Sequence, residues 1–146
     1  MLFSAPCPTS STWYVSSYYD NRLRCLGAKH VPSNLTSPTQ LIEVCQSKHP
    51  DALPASIHNV DEIIFIKNHS MNGACSGLYL PSGKTFTAAN LKNLDGMAVD
   101  YLPFNTSSGT SSTNSLVVVS PGMKPEGFVS YITPGLANVI CAMWAT

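Results

Sequence analysis

Residues 136–144 read Leu-Ala-Asn-Val-Ile-Cys-Ala-Met-Trp, and the fold class follows from how they alternate. On a strand, successive side chains point to opposite faces of the sheet. Leu136, Asn138, Ile140, Ala142 and Trp144 then share one face, and Ala137, Val139, Cys141 and Met143 share the other. Neither set is strongly polar, so this strand is expected in the middle of a sheet, covered on both sides. Pro134-Gly135 precedes it and Pro121-Gly-Met-Lys-Pro-Glu126 lies further upstream, both strong turn formers. They separate Ser115–Ser120, Gly127–Thr133 and Leu136–Trp144 into a three-strand meander at the end of the chain.

Outward from there, Ser37-Pro38-Thr39-Gln40 is the clearest helix start. Ser is a good N-cap, Pro suits the first helical position, and Gln three residues on completes a capping box. Leu41, Ile42, Val44 and Cys45 supply an apolar stripe, Lys48 and His49 suit the negative end of the helix dipole, and Pro50 ends the element. This is the one long helix expected. Thr12–Tyr19 and Val60–Lys67 (VDEIIFIK) read as strands, rich in aromatic and β-branched residues. Gly77–Leu80 and Lys84–Thr87 around Pro81-Ser82-Gly83 read as a hairpin. Ala88–Leu94 reads as one helical turn closed by Asp95-Gly96, and Met97–Leu102 as a further strand. Residues 20–36 read as irregular, 105–113 as a Ser/Thr-rich loop, and 1–11 as an extended N-terminal segment. One main helix on an antiparallel sheet ending in a meander is an α+β fold, and 146 residues make one domain, 1–146.

Composition narrows the function. Eight Lys and Arg balance eight Asp and Glu, and charged residues are 11% of the chain, against about 25% in an average domain. So neutral a chain has no strong grip on phosphate backbones or anionic membranes, which argues against nucleic acid and membrane as partners. Ser and Thr together number 30, so the polar surface is largely hydroxyl and amide. Cysteines stand at 7, 25, 45, 75 and 141 with no C-x-x-C pair, so no metal site is expected. Sequons occur at Asn34, Asn68 and Asn105, all in stretches read as loops. Scattered cysteines, sequons and 11 prolines favour a secreted, extracellular protein with one or two disulfides. The first residues have neither the basic nor the long apolar stretch of a signal peptide, so either a leader has been removed and Met1 added, or the chain is cytosolic. Secretion favours the former. Cys7, Cys25, Cys75 and Cys141 are the disulfide candidates, pairing undetermined. Cys45, on the buried face of the helix, is the candidate free thiol.

His58, Glu62 and His69 bracket the 60–67 strand and are the candidate acid/base set of a hydrolase. On a strand, His58 and Glu62 would lie about 13 Å apart, too far for a direct pair. The competing reading makes His58 and His69 surface residues at strand ends. Cys75, between glycines, reads as a nucleophile only with a base beside it, and none is adjacent. Tyr18, Tyr19, Arg22 and Arg24 are candidate binding residues, an aromatic cluster followed by the only two arginines in the chain. Phosphate loops, HExxH, GxSxG and EF-hand loops are absent, and no cofactor is expected.

The stretches Asp100-Tyr101-Leu102-Pro103, Asn114-Ser115-Leu116-Val117-Val118-Val119, Ile132-Thr133-Pro134-Gly135 and Val139-Ile140-Cys141 resemble the C-terminal strands of secreted fungal guanyl-specific ribonucleases. Where that family carries a catalytic Glu, Arg and His, this chain has Tyr101, Ser115 and Pro134. The resemblance therefore implies a catalytically dead scaffold, like the ribonuclease-like effectors that fungal pathogens secrete into plants, with Tyr101 and Ser115 on a binding face. Together with the low charge, the scattered cysteines, the sequons and the lack of a complete catalytic set, it points to a non-enzymatic virulence effector, expected to be a monomer, that binds a host protein outside or inside host cells. The alternative is a secreted ribonuclease-like hydrolase using His58, Glu62 and His69. A third reading is a viral or structural assembly protein.

Overall fold

The computed structural model describes residues 6–9, 11–19, 21–32, 37–71, 73–81, 83–85, 87–102, 115–120, 127–132 and 138–145; of Tyr18 and of 115–120 and 127–132 it describes the backbone. The chain is α+β. Its elements are β1 (Tyr14–Tyr19), β2 (Arg22–His30), α1 (Gln40–Lys48), β3 (Leu53–Pro54), α2 (Val60–Asn68), β4 (Cys75–Leu80), a 3₁₀ turn (Ala88–Asn90), β5 (Lys92–Asn93), β6 (Ser115–Ser120), β7 (Gly127–Ile132) and β8 (Asn138–Trp144). The sheet runs β1-β2-β8-β4-β6-β7, with β3 added to β8 and β5 to β4. The pairings are antiparallel except β4 with β8, which is parallel.

Strand β8 lies between β2 and β4, and its two faces enter different cores. Ile140 and Ala142 join Leu26, Leu78 and Leu80 beneath Ile63 and Ile66 of α2. Val139, Cys141 and Met143 join Cys25 and Cys75 beneath Leu41 and Cys45 of α1. The two helices therefore cover opposite faces of the central strands, which is why neither face of 138–144 needs polar residues.

The expected three-strand meander does not form. β6 and β7 pair with each other, but β8 pairs with β2, from Arg24 opposite Trp144 to His30 opposite Asn138. Its edges are filled by distant segments. The stretch read as irregular thus holds the longest strand among the described residues, its pattern obscured by Arg22, Arg24 and Gly27. Gly27 is required there: a Cβ would lie 2.5 Å from the Thr12 carbonyl oxygen and 2.8 Å from Lys48 Cε, where other segments cross the strand.

Residues 60–67 form a helix rather than a strand. The Asn59 side chain accepts the Glu62 N–H at 2.9 Å, and Asp61, Glu62 and Lys67 suit the two ends of the dipole. Glu62, Ile63 and Ile66 are buried while Asp61 and Ile64 are exposed, a helical repeat that the β-branched composition masked. In α1, Ser37 N–H donates to Gln40 Oε1 at 3.1 Å, the back-reaching half of the capping box. The helix itself begins at Gln40 with Thr39 as N-cap. β4 pairs with β5, Leu78 with Asn93 and Tyr79 with Lys92; Ser82 and Phe86 of the expected hairpin lie outside the described residues. Residues 97–102 form no strand; side chains hold that segment, as described below.

The disulfides are Cys7–Cys25 and Cys45–Cys141, and Cys75 is a buried free thiol. The expected roles of Cys45 and Cys75 are therefore exchanged. The buried face of α1 carries Cys45 onto β8, so its burial reflects a bond to Cys141 across the helix–sheet interface. Burial and loss of solvent push the Cys75 thiol up to about 12.

Candidate functional site

The tight β1–β2 turn, with Asn21 in the left-handed region at φ 52°, sets Tyr19 opposite Arg22. The β2–β8 register sets Arg24 opposite Trp144. Four residues from three strands thus gather at one end of the sheet. The Arg22 guanidinium lies 3.8 Å from the centre of the Trp144 ring, a distance at which cation and ring attract. Trp144 and Tyr19 are stacked with centroids 6.3 Å apart, and Tyr19 lies on His58 at 3.8 Å. Arg24 approaches the Tyr19 ring at 5.6 Å. The result is a row of Arg22, Trp144, Tyr19 and His58, with Trp144 and Tyr19 half-buried and Arg22 exposed.

Beneath the row is a polar floor. Arg24, 3% exposed, forms an ion pair with the fully buried Glu62 and donates to the Ser56 carbonyl at 3.0 Å. The other Glu62 oxygen accepts the His58 N–H at 2.7 Å. The His58 ring is fixed from both sides: Nε2 is 2.7 Å from Ser56 Oγ and Nδ1 is 2.6 Å from Asp100 Oδ1. Ser56 Oγ donates to Asp95 Oδ2, whose other oxygen accepts the Met97 N–H at 3.0 Å. Asn93 Nδ2 donates to the carbonyls of Met97 and Ala98. These bonds hold 95–100 across the connection from β3 to α2 in place of strand pairing.

Ser56, His58 and Asp100 have the order of a hydrolytic triad, but the Ser56 hydroxyl has competing partners. A serine nucleophile gives its proton to the histidine; Ser56 Oγ has the Asp95 carboxylate and Met97 Sδ within hydrogen-bond reach as well as His58. Ser56 is also wholly buried. The group is a hydrogen-bonded network, buried at Ser56 and His58 and open to solvent at Asp100, that fixes the floor of the row.

Of the acid/base set expected from sequence, His58 and Glu62 meet here and His69 does not. His69 lies beyond the far end of α2, on Tyr14 at 4.1 Å and near Phe65 at 4.4 Å. Glu62 is the partner of Arg24 rather than a free base. His58 is no strand-end surface residue, its side chain being 2% exposed. Tyr19, Arg22 and Arg24 belong to the site. Tyr101 packs on the core beneath α2; the side chains of Tyr18 and Ser115, and Pro134, lie outside the described residues. Trp144, Ser56, Asp95 and Asp100 were missed as site residues. Nothing local marked them, because they meet only through the β2–β8 register and the path of 95–100.

Beside Trp144 is a cleft of about 100 Å³, lined by Leu53, Met97 and Met143 together with Arg24, Asp51 and Asp95. A more open groove of about 400 Å³ lies between β2 and α1, lined by Lys29, His30, Gln40 and Glu43 among others, with no Trp or Tyr in its described wall. The first joins apolar walls to the exposed Asp51 carboxylate, a combination that orients small ligands.

No family model matches the sequence, and no curated protein matches it. Solved structures do match the fold. A calcium-independent type II antifreeze protein is 19% identical over 96% of this chain and 95% of its own, with a TM-score of 0.65. The herring type II antifreeze protein is 19% identical over 96% and 100%, at 0.64, and CEL-IV is 17% identical over 96% and 95%, at 0.62. These are C-type lectin-like domains, and this chain has their fold. That overturns the ribonuclease resemblance: Asp100-Tyr101-Leu102 is not on a strand, β4 and β8 are parallel, and the helices lie on both faces. A Ca2+-dependent type II antifreeze protein in its Ca2+-free form also matches, 18% identical over 93% and 98%, at 0.61. The residues of the present site do not suit that cation. Among the described residues no three His, Cys, Asp or Glu side chains come together to hold a metal, and Glu62, Asp95 and Asp100 are engaged with Arg24, Ser56 and His58.

Proposed function

We propose that this chain, a C-type lectin-like fold with two disulfides, is a non-enzymatic binding domain that takes a carbohydrate ligand at the Trp144–Tyr19 end of its sheet. The observation that carries the reading is the ring row above a fixed polar floor. A sugar ring has an apolar face and a rim of hydroxyls; Trp144 with Leu53 and Met97 offers apolar surface to the first, and the exposed Asp51 carboxylate beside them offers an acceptor to the second. The neutral, hydroxyl-rich composition agrees with recognition by shape and hydrogen bonds. Disulfides favour an oxidising compartment such as the extracellular space. No helix among the described residues is long and apolar enough to cross a membrane. The narrower expectation of a fungal virulence effector took its source from the ribonuclease resemblance, and only its coarser part, a non-enzymatic interaction protein, is carried forward.

The test is a panel of immobilised saccharides followed by calorimetric titration of the best binder, with Trp144→Ala as the variant. Losing one ring contact worth about 0.5–1.5 kcal/mol weakens binding by roughly two- to twelvefold, with an unchanged far-UV circular dichroism spectrum. A ligand bound equally by both proteins, or no saccharide bound at millimolar concentration, defeats the reading. Incubation with RNA in the presence of a chelator separates it from a hydrolase. No cleavage is expected, and cleavage abolished by His58→Ala would establish the enzyme instead.

A further inference from the structure

The sequon Asn68-His69-Ser70 sits where α2 ends, well away from the ring row. His58 precedes the first turn of α2 and Asn68 is its last residue, so the two ends are separated by about 13 Å at 1.5 Å per residue. Contacts at the helix end orient the three residues differently. His69 is drawn inward onto Tyr14 and Phe65. Asn68 and Ser70 on either side are exposed. Ser70, in the left-handed region at φ 59°, donates its N–H to the Lys67 carbonyl at 3.1 Å, and Met71, 4% exposed, anchors the exit through a bond to the Ile66 carbonyl at 3.0 Å. The acceptor amide and the hydroxyl are thus both presented to solvent on a turn fixed from below.

A second observation lies one turn earlier. Ile64 is 43% exposed, one of three large apolar residues left open among the described residues. Residues four apart on a helix are surface neighbours, and helical side chains lean towards the N-terminus, so a group carried by Asn68 falls over Ile64.

We propose that Asn68 carries an N-linked glycan whose first sugar covers Ile64. In the transfer, the Asn68 amide nitrogen bonds to C1 of the sugar of a lipid-diphosphate-linked oligosaccharide. The C1–O bond to the diphosphate breaks, and one amide proton leaves with it. The disulfides require the oxidising compartment in which such donors are used. The proposal is independent of the ligand reading.

The full chain, behind a secretion leader in a eukaryotic host and with Asn34→Gln and Asn105→Gln removing the other sequons, tests it. One glycan is expected by intact mass, lost in Ser70→Ala, with Asn68 converted to aspartate by peptide N-glycosidase. Enzymatic deglycosylation should then lengthen retention on a hydrophobic-interaction column, and Ile64→Thr should abolish that shift. An exported, oxidised chain with unmodified Asn68 overturns the proposal, as does a chain that cannot oxidise in that compartment. An equal retention shift with Ile64 and with the Ile64→Thr variant overturns the covering role.

Discussion

Replacing Glu62 tests the buried floor most directly. In Glu62→Ala, Arg24 stays 3% exposed with its counter-charge gone, keeping the Ser56 carbonyl at 3.0 Å. Breaking a buried ion pair from one side costs about 3–5 kcal/mol, because a charge is left uncompensated. The His58 N–H also loses its acceptor at 2.7 Å, and an orphaned buried donor costs about 1–3 kcal/mol. The sum, about 4–8 kcal/mol, is comparable with the whole stability of a domain of this size, about 5–15 kcal/mol. Removing both charges, as in Arg24→Met with Glu62→Leu, leaves the His58 N–H and the Ser56 carbonyl unpaired but no uncompensated charge, since an apolar pair replaces a buried ion pair at little or no cost. The double variant should therefore recover about 2 kcal/mol relative to Glu62→Ala. Urea denaturation followed by tryptophan fluorescence and circular dichroism measures both, and unchanged slopes show that midpoints report stability. A loss below about 1 kcal/mol in Glu62→Ala, or a double variant no more stable than the single, would refute the argument that this pair is buried and mutually compensating.

The two disulfides should contribute unequally. Cys45–Cys141 spans 96 residues and Cys7–Cys25 spans 18, so chain entropy gives about 4.7 and about 3 kcal/mol respectively. Double alanine variants of each pair, compared by denaturation, should keep that order, and the reverse order would contradict it. Cys75 should resist thiol reagents in the native protein at pH 8 and react once the chain unfolds. Its pKa is raised from 9.0 to about 12, so its contribution to stability is present below pH 9 and lost as pH climbs towards 12. Rapid native labelling, or an alkaline stability profile unchanged in Cys75→Ala, would count against this.

How much was legible depends on whether the signal was local. The alternation along 136–144 correctly made that strand central, since both faces had to be covered whatever covered them. The capping residues located α1 to within three residues. Residues 60–67 misled because Val and Ile favour strands in isolation, whereas Asn59 as cap and a buried Ile63–Ile66 stripe won once a sheet lay beneath them. Strand β2 escaped notice because two arginines and a glycine interrupt its apolar pattern, and all three are explained by what crosses it. Arg24 meets Glu62, Arg22 meets Trp144, and Gly27 makes way for the Thr12 backbone and Lys48. The arginines and Tyr19 were identifiable as binding candidates by type, but their partner Trp144 lies 120 or more residues away in sequence.

The sequence by itself determined a neutral, cysteine-bearing α+β chain with a doubly covered C-terminal strand and a capped helix at 40–48. Those features rest on alternation, capping and composition, which act over a few residues at a time. Tertiary structure alone decided that β8 pairs with β2 and β4, that Cys45 rather than Cys75 bonds to Cys141, and that His58 is buried between Ser56 and Asp100. The strand pairings, the Cys45–Cys141 bond and the His58–Asp100 contact all join segments far apart in sequence. Such pairings are selected by which surfaces can be buried together without leaving a charge or a hydrogen bond unmet, and no short stretch of sequence carries that information.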